Sequence, residues 1–527
     1  MLKTENRLKA KACSWVEENK VMLLLCFFST FIWGLAAHSY MFFNNFPSHD
    51  VLNEFYGTVA KDNWKVELGR FVVPLYRNIV RGKLTLPWLI GLLTMLFVAV
   101  AVFYTVKIFN IKSKALVILI SGIMITNPTV ISEIATYLHD TDVNMLALMF
   151  SVISVYLWKE YKSVFALAGG AVLLALSLGI YQSYISVTLT FIILSSIISL
   201  LDGDSEKQVF VKGLKGIGMI VLGCAVYFAM YALSFKVTGL VPHERTNVLD
   251  FGDRTTNIPL YILQLVLNAY YYFKEYITED RAMLYYDGLM PALAVMILIV
   301  AAVIALHVLR RKDFSIAKKM LIAVLAGFMP LTMNITYVTA KGSGIHDLMH
   351  YAIWFVYGVL LILAYWIADS AKLKAGNYIK PVCCVLVALM LWSNVRIANT
   401  AYLKKDIEFN SELSLMTRLT YQMERVEGYK VGETVVMIDG MTNVYGEVPG
   451  TEPLKRLIGL ENNSPLVMDN RYGEYFKYVL NYPYIEASKE QIAEVKATEQ
   501  WQNMPAYPHE DCMQIINGIL AVKMGES

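Results

Sequence analysis

The sequence predicts an all-α polytopic membrane protein that ends in a small α/β domain. Of its 527 residues, 56% are hydrophobic and only 17% are charged, and the mean hydropathy is +0.48. A soluble protein of this length could not bury so much apolar surface. The apolar residues also form runs long enough to cross a bilayer, and these runs end after Val395.

About eleven of these runs are predicted to span the membrane, since a helix of about 20 apolar residues crosses its hydrocarbon core. They lie near 21–43, 85–106, 115–135, 143–158, 163–180, 182–201, 213–236, 286–308, 319–338, 350–368 and 380–397.

The charges of the short loops predict the orientation of the chain. Lysine and arginine cluster before the first span and after the second, fourth, sixth, eighth and tenth. The alternate short loops, 136–142, 178–184 and 339–349, contain a single lysine, Lys341, and no arginine. Because cytoplasmic loops carry the excess of positive charge, we expect a cytoplasmic N-terminus and an outer location for the residues that follow the last span.

Residues 1–397 are therefore predicted to form a membrane domain with two large outer loops, at about 44–84 and about 237–285. The apolar segment 258–273 is only about sixteen residues long. If it crossed the membrane, the Arg310-Arg311-Lys312 cluster would face outward, against the charge rule. We expect an interfacial or re-entrant helix there.

Residues 398–527 are predicted to form an outer α/β domain of roughly 130 residues, a size typical of single domains. The segments 403–426 and 489–501 have helical patterns, and 433–439 is typical of a buried strand. Residues 513–524 predict a hairpin around Asn517-Gly518, because this dipeptide favours a tight turn.

The first outer loop is predicted to contain two helices that lie in the membrane interface. Two sets of apolar residues have the i, i+3, i+4, i+7 spacing of one helix face, and Pro74 suits the first turn of the second helix. Asp50 would lie where the first membrane span ends and the first interfacial helix begins. The two sets are Leu52, Phe55, Tyr56 and Val59, and Val72, Leu75, Tyr76 and Ile79.

The polar clusters of the membrane domain all fall on the predicted outer side. Ionisable groups near the hydrocarbon boundary usually line a cavity or a substrate path. The cytoplasmic loops have no Gly-rich phosphate cradle, so we expect a donor that is available outside, such as a lipid-linked one. The outer polar residues are Asp50, Glu54, Arg70, Glu133, His139, Asp140, Asp142, Tyr181, Gln182, Tyr184, Lys341, His346, Asp347 and His350.

Several short motifs resemble the GtrII-type bacterial membrane glucosyltransferases, and the resemblance covers essentially the whole chain. It implies a GT-C-like fold in the bacterial inner membrane. It also implies transfer of a sugar, usually glucose, from a polyprenyl-phosphate donor to a cell-surface glycan such as O-antigen or teichoic acid. The motifs are Ser48-His49-Asp50, Gly69-Arg70-Phe71-Val72-Val73-Pro74-Leu75, Leu86-Pro87-Trp88, Tyr181-Gln182-Ser183-Tyr184 and Met504-Pro505-Ala506-Tyr507-Pro508.

The resemblance implies that Asp50 is the catalytic base, because GT-C enzymes use an acidic residue of the first outer loop. A carboxylate that accepts the proton of the acceptor hydroxyl lowers the barrier to an inverting transfer. Glu54 is a candidate for direct or supporting acid chemistry. The developing negative charge on the departing lipid phosphate needs fixed cations. The candidates for that role are Arg70, Lys341, His346 and His350, with Tyr181 and Gln182 as candidate substrate contacts.

Each candidate also has a simpler interpretation. Asp50 could serve merely as the N-cap of the helix that starts at Val51. Asp140 and Asp142 could bind a divalent cation such as Mg²⁺ or Mn²⁺, or could cap the fourth span. Tyr181, Gln182 and Tyr184 could belong to an interfacial belt, and Arg70 could pair with a headgroup or an acidic side chain. His346 and His350 could bind metal or phosphate or only lie in the interface.

Two other functions remain open from the sequence. One is a transporter or flippase for a lipid-linked sugar, although the related halves typical of transporters are not visible. The other is a glycan polymerase or ligase. The sequence does not identify the donor sugar, the acceptor or the linkage. Nucleic acid is not expected as a partner, and the six cysteines have no spacing typical of zinc.

Overall fold

The chain folds into a bundle of membrane-length helices followed by a small mixed sheet. The computed structural model describes residues 2–48, 51–52, 54, 59–243, 258–278, 288–339, 345–370, 376–440, 448–451, 454, 460 and 471–525.

Seventeen helices precede the sheet in the described part of the chain, and two of them are single turns. A five-residue π-helix, Arg77–Arg81, directly continues α3. The helices are α1 Leu2–Phe43, α2 Val59–Glu67, α3 Val72–Tyr76, α4 Pro87–Ile108, α5 Lys114–Thr126, α6 Pro128–Thr136, α7 Leu138–Glu160, α8 Val164–Leu178, α9 Ile185–Leu201, α10 Glu206–Thr238, α11 Ile258–Thr278, α12 Leu289–Arg310, α13 Ile316–Met333, α14 Thr336–Thr339, α15 Tyr351–Trp354, α16 Val356–Ser370 and α17 Gly376–Met423.

The prediction of an all-α polytopic membrane protein is confirmed. Within the described ranges, ten helical segments are long and apolar enough to cross a membrane. Ten of the eleven predicted runs overlap these segments. The fifth run corresponds to α8, an apolar helix of 15 residues. The segment expected to be interfacial forms α11, which packs on α13 through a hydrogen bond from the Tyr270 hydroxyl to Gly327 O (2.7 Å).

The outer surface of several helices is apolar, which suits contact with lipid. Leu214 and Val221 on α10 and Leu298 on α12 are each more than half exposed. A water-soluble protein rarely leaves such residues together on its surface. The inner faces carry small hydroxyl groups that bond across helices, as Ser29 of α1 does with Ser121 of α5 (2.7 Å).

The third predicted span divides into two helices, and this division shapes the site. Asn127 ends α5 and caps α6 by accepting a hydrogen bond from Val130 N, with Pro128 in the first turn. All nine residues of α6 are buried. A second break at Tyr137 (φ −122°, ψ 36°) separates α6 from α7. The first turn of α7 therefore begins inside the protein.

The C-terminal sheet has four strands in the order β2-β1-β4-β3. The strand β1 runs parallel to β2 and β4, and β3 and β4 form the hairpin expected around Asn517-Gly518. Short helices cover the sheet. The elements are β1 Val435–Asp439, α18 Tyr472–Tyr478, β2 Ile485–Glu486, α19 Lys489–Lys496, α20 Glu499–Asn503, β3 Met513–Ile516 and β4 Ile519–Lys523.

The helix α17 joins the membrane domain to the sheet without a break. Its 48 residues include the last predicted span and most of the polar helix that was expected to follow it. It also packs on the end of α1, because the Tyr40 hydroxyl bonds Asp406 Oδ2 (2.6 Å) and the His38 ring bonds the Tyr402 hydroxyl (2.7 Å). The proposed division of the chain near residue 397 therefore falls within one helix.

Candidate active site

The first outer loop starts with a turn that Ser48 caps. The Ser48 hydroxyl accepts a hydrogen bond from Val51 N (3.2 Å) and donates one to Thr136 O (2.5 Å). Ser48 O also accepts from Leu52 N (3.0 Å). This is the bonding pattern of a helix N-cap, and it ties the loop to the end of α6. Asp50 itself lies outside the described residues.

Two arginines of this loop are buried because a π-helix presents both to the interior. Arg77 and Arg81 are at the two ends of the π-helical segment, and both are less than a tenth exposed. The apolar residues Leu75 and Ile79 are instead 57% and 73% exposed. The predicted apolar stripe is therefore only partly buried. Short π-helical segments often occur at functional sites.

The N-terminal end of α7 brings two carboxylates, those of Asp140 and Asp142, to these arginines. Asp140 lies near the N-terminus of the helix, where the helix dipole favours negative charge. The N-cap position is Tyr137, so neither aspartate occupies it. The capping interpretation of Asp140 and Asp142 does not describe what these side chains do.

Glu54, Lys65, Arg77 and Asp140 form a closed buried network, which we call the four-charge cluster. Lys65 Nζ contacts Glu54 Oε1 (3.0 Å) and Asp140 Oδ2 (2.5 Å). Arg77 Nη2 contacts the other oxygen of each acid, Glu54 Oε2 (2.8 Å) and Asp140 Oδ1 (2.6 Å). All four side chains are at most 8% exposed. Two segments of the first loop are thereby fixed to α7.

Asp142 belongs to a second, separate set of contacts. Its Oδ2 accepts hydrogen bonds from Arg81 Nε (2.7 Å) and the Tyr76 hydroxyl (2.8 Å). Arg81 also donates to the carbonyls of His139 and Leu84. The guanidinium of Arg81 therefore joins the loop to the start of α7 independently of Arg77.

The ionisation of the four-charge cluster follows from its pairing. Burial raises the pKa of Glu54, but the attraction of His139, Lys65 and Arg77 outweighs burial and holds this pKa below its usual value. Burial lowers the pKa of Arg77, whereas Asp140 and Glu54 raise it more, so it lies above its usual value. The glutamate and the arginine are both charged at neutral pH.

Arg70 lies apart from these ion pairs, in contact with Tyr181. Its guanidinium carbon is 4.4 Å from the centroid of the Tyr181 ring, which is within the range of a cation–π interaction. In the described part of the chain, Arg70 has no ion pair with a carboxylate, and its buried Nε has no hydrogen-bond partner. Burial raises the pKa of Tyr181 to about 12, although the Arg70 charge opposes this.

His346 is close enough to Arg70 for the two to interact electrostatically. Burial, together with the positive charge of Arg70, lowers the pKa of His346 to about 4. The ring is therefore neutral at pH 7. Its buried Nδ1 has no hydrogen-bond partner among the described residues. Arg70 and His346 thus each have one buried nitrogen without a hydrogen-bond partner among the described residues.

Gln182 holds the backbone that precedes Arg70. Its Nε2 donates to Leu68 O (3.0 Å) and to the Tyr227 hydroxyl (3.1 Å). Gly69 adopts φ +78°, and a Cβ there would lie 2.4 Å from the Tyr227 hydroxyl and 2.9 Å from Gln182 Nε2. A glycine is required before Arg70 for both reasons.

The predicted site residues thus divide into separate groups. Lys65 and Arg77 bridge Glu54 and Asp140, Asp142 lies next to them, and Arg70, Tyr181, Gln182 and His346 are placed near one another. His350 lies elsewhere, where its Nδ1 bonds Asn334 Oδ1 (2.9 Å) and its ring contacts Tyr276. Lys341 and Asp50 are outside the described residues, so their predicted roles stay predictions.

The arrangement does not fit one divalent ion shared by Asp140 and Asp142. Lys65 and Arg77 take both oxygens of Asp140, and Arg81 takes Asp142 Oδ2. An ion placed between the two aspartates would meet these fixed positive charges at close range, where repulsion is strong in a buried site.

Lys65, Arg77 and Arg81 were not predicted as parts of the site, and His139 was predicted only as one of the outer polar residues. One signal could have revealed the arginines, since Arg77 and Arg81 interrupt a strongly apolar interfacial segment. Charged residues in such a setting are expected to find partners inside the protein.

The C-terminal sheet region contacts the first loop, which is predicted to lie on the outer side, through Leu52. Leu52 is fully buried and packs in the same apolar cluster as Leu415, Leu419 and Val436. The loop that contains the predicted base is therefore supported on one side by α6 and on the other by α17 and the sheet.

The fold and the site together define a multi-pass membrane protein with a buried charged site built from its first loop. The model of the glucosyl transferase GtrII family matches residues 39–367. This range is more than half of the chain, and the chain belongs to this family, as its motifs predict. Membership supports a glycosyltransferase function and implies a sugar donor and an acceptor.

The matched range includes every predicted site residue but ends before α17. No curated protein and no solved structure matches the chain.

Proposed function

We propose that the protein transfers a sugar, glucose, from a polyprenyl-phosphate donor to a cell-surface glycan on the outer face of the bacterial inner membrane. Asp50 is the general base in this proposal, and the enzyme is of the inverting GT-C type. The family supports glucosyl transfer. The lysine- and arginine-rich loops support an outer location for the site.

The observation that carries the proposal is the unpaired charge of Arg70. Arg77 and Arg81 are neutralised by carboxylates, whereas Arg70 has no such partner in the described part of the chain. A guanidinium that no carboxylate occupies can bind phosphate oxygens in a bidentate manner, and the Arg70 Nε has no hydrogen-bond partner among the described residues. The stack on Tyr181 holds this group in place for an anionic ligand.

His346 complements Arg70 as a ligand of the donor phosphate. A neutral imidazole still donates one hydrogen bond, and a bound phosphate next to it would favour its protonated form. Lys341 would add a further positive charge from the same outer loop, and His350 stays a weaker candidate for the same role.

The reaction exchanges one bond at the anomeric carbon for another. The bond from that carbon to the phosphate oxygen breaks, and the electron pair leaves with the phosphate, whose charge Arg70 stabilises. The acceptor oxygen forms the new bond from the opposite face while its proton moves to Asp50. Inversion therefore requires the base and the leaving group on opposite sides of the sugar.

The contacts of Ser48 and Glu54 support the assignment of Asp50 as the base. Ser48 already caps the turn, so a capping role gives no reason for an acid at position 50. Glu54 is bound on both oxygens by Lys65 and Arg77, and its lowered pKa makes it a poor proton acceptor. We therefore assign Glu54 as a positioning residue and Asp50 as the base.

The C-terminal domain would hold the acceptor glycan close to the first loop. Its contact with Leu52 supports this role. Tyr181 and Gln182 would act on the donor side by shaping and orienting Arg70 rather than by reaching the sugar.

Transfer of radiolabelled glucose by the purified protein tests the proposal. Synthetic polyprenyl-phosphate-glucose is the donor, and lipid extracts of the host's surface glycan supply the acceptor. Asp50→Asn should abolish transfer and keep donor binding, whereas Arg70→Ala should weaken donor binding. Asp313→Asn, at an aspartate whose side chain is 59% exposed, is the matched control and should behave as wild type.

Transfer by Asp50→Asn at the wild-type rate would rule out Asp50 as the base. Transfer from another polyprenyl-phosphate sugar but not from the glucose form would retain the class and change the sugar. Absence of transfer from every such donor, with altered lipid-linked sugar movement in Asp50→Asn, would favour a transporter.

A further inference from the structure

Three side chains of the site have the geometry of a metal-binding group. The Nε2 atom of His139 lies 3.6 Å from both Glu54 Oε1 and Asp140 Oδ2. The three candidate ligand atoms are within 4.8 Å of one another, and all three residues are buried. One imidazole with two carboxylates is a ligand set that Zn²⁺, Co²⁺ and Mn²⁺ accept.

The position that a metal ion would take is already filled by the ammonium group of Lys65. Lys65 Nζ contacts the same two oxygens, Glu54 Oε1 at 3.0 Å and Asp140 Oδ2 at 2.5 Å. Arg77 contacts the two remaining oxygens of these acids. All four carboxylate oxygens therefore face a cation that belongs to the chain.

The four-charge cluster has no net negative charge that a divalent ion could neutralise. Two carboxylates face one ammonium and one guanidinium, so the four-charge cluster is neutral. An added divalent ion would be repelled by Lys65 and Arg77 in a site from which water is largely excluded.

The second nitrogen of His139 supports the same conclusion. Metal-bound histidines almost always donate the other ring N–H to an acceptor, which fixes the ring. The buried Nδ1 of His139 has no hydrogen-bond partner among the described residues. The ring is therefore not supported in the manner of a metal ligand.

We propose that the Lys65 ammonium takes the place of a divalent cation among Glu54, His139 and Asp140. The cluster binds no metal while Lys65 is present, and removal of that ammonium converts it into a metal site. For the reaction, and resting on the proposed function, this means that the cluster supplies no divalent ion to sugar transfer.

Metal binding can be measured without any assay of transfer. Full-length protein is purified in detergent, stripped with EDTA and titrated with Co²⁺, whose visible absorption reports protein ligands. Lys65→Ala and the longer Lys65→Met should each bind one Co²⁺ per chain, and the bound ion should raise their thermal midpoints. Wild type and Lys83→Ala, which removes a neighbouring lysine paired with Asp62, should show neither effect.

His139→Gln added to Lys65→Ala should abolish the absorption. If Lys65→Ala unfolds without metal, recovery of its folded state on addition of Co²⁺ also supports the proposal. Stoichiometric Co²⁺ binding by wild type that His139→Gln removes would overturn it, as would failure of both Lys65 variants to take up the ion.

Transfer by wild type after EDTA treatment is the second arm. Unchanged transfer agrees with the proposal. Loss that Mg²⁺ or Mn²⁺ restores contradicts it if His139→Gln also removes binding of that ion. If no transfer is seen with any donor, the proposed function fails while the Co²⁺ result still stands by itself.

Discussion

The guanidinium of Arg70 lies 4.4 Å from the centre of the Tyr181 ring, although 110 residues separate the two in the chain. The contact fixes the direction of a positive charge that acts electrostatically on Glu133 but forms no direct ion pair with a carboxylate in the described part of the chain. Donor binding should therefore depend on the ring as well as on the charge.

Tyr181→Leu should raise the KM for the lipid-phosphate donor by about 5- to 30-fold, since a desolvated cation–π contact contributes about 1–2 kcal/mol. Tyr181→Phe keeps the ring and should stay within about twofold of wild type. Initial rates over a range of donor concentrations give both values. Equal effects of the two substitutions would assign the role to the hydroxyl group instead.

Loss of Arg77 should destabilise the membrane domain strongly. Its side chain is 1% exposed and bridges Glu54 and Asp140. Arg77→Met leaves these acids with one cation, and breaking a buried pair in this way costs about 3–5 kcal/mol. Chemical unfolding in detergent micelles measures the change in the free energy of unfolding.

The control for Arg77 is Arg311→Met, which removes an exposed pair with Asp313. Surface pairs contribute about 0–1 kcal/mol, so this variant should unfold almost as wild type does. A loss of similar size in both variants would show that the four-charge cluster adds no special stability.

His346 should make the protein sensitive to mild acid. Its pKa is about 4 in the folded protein and 6.5 in the absence of burial. Between these values the unfolded chain binds a proton that the folded protein does not. Stability is therefore complete above pH 6.5 and falls as the pH decreases toward 4, by about 3 kcal/mol in total.

Thermal midpoints measured between pH 4.5 and 7 test this expectation. His346→Gln should flatten the acid-dependent part of the profile, whereas His509→Gln, at a histidine with a 58% exposed side chain, should leave it unchanged. An identical slope in wild type and His346→Gln would show that other groups cause the acid sensitivity.

Leu52→Ala should loosen the contact between the first loop and the C-terminal domain. Removal of a fully buried leucine costs about 2–5 kcal/mol. We expect slower sugar transfer with donor binding retained, and faster hydrogen exchange in both α17 and the sheet. Leu403→Ala, at a position on α17 that is 52% exposed, should change neither property.

The membrane fold could be predicted because apolar runs and loop charges are local signals. The Asn517-Gly518 hairpin was predictable for the same reason. The pairing of Arg77 with Asp140 was not predictable, because it joins residues 63 positions apart. It also depends on a π-helical segment that the residue pattern did not indicate.

Among the site residues, Arg70 and Tyr181 could be proposed from motifs, but their contact could not. The sequence could not decide between the alternative roles of Asp140, because it does not show which cations surround this side chain. Lys65 was overlooked because a lone lysine in a polar loop is usually solvated, and only the fold buries it.

The contact of Leu52 with α17 and the sheet limits how this protein can be recombined. Leu52 lies inside the range that the GtrII family model matches, and its partners lie beyond the end of that range. A chimaera that exchanges only the C-terminal part with a relative would mismatch this interface. The first loop and the C-terminal sheet region would have to be exchanged together, although more than 300 residues separate them in the chain.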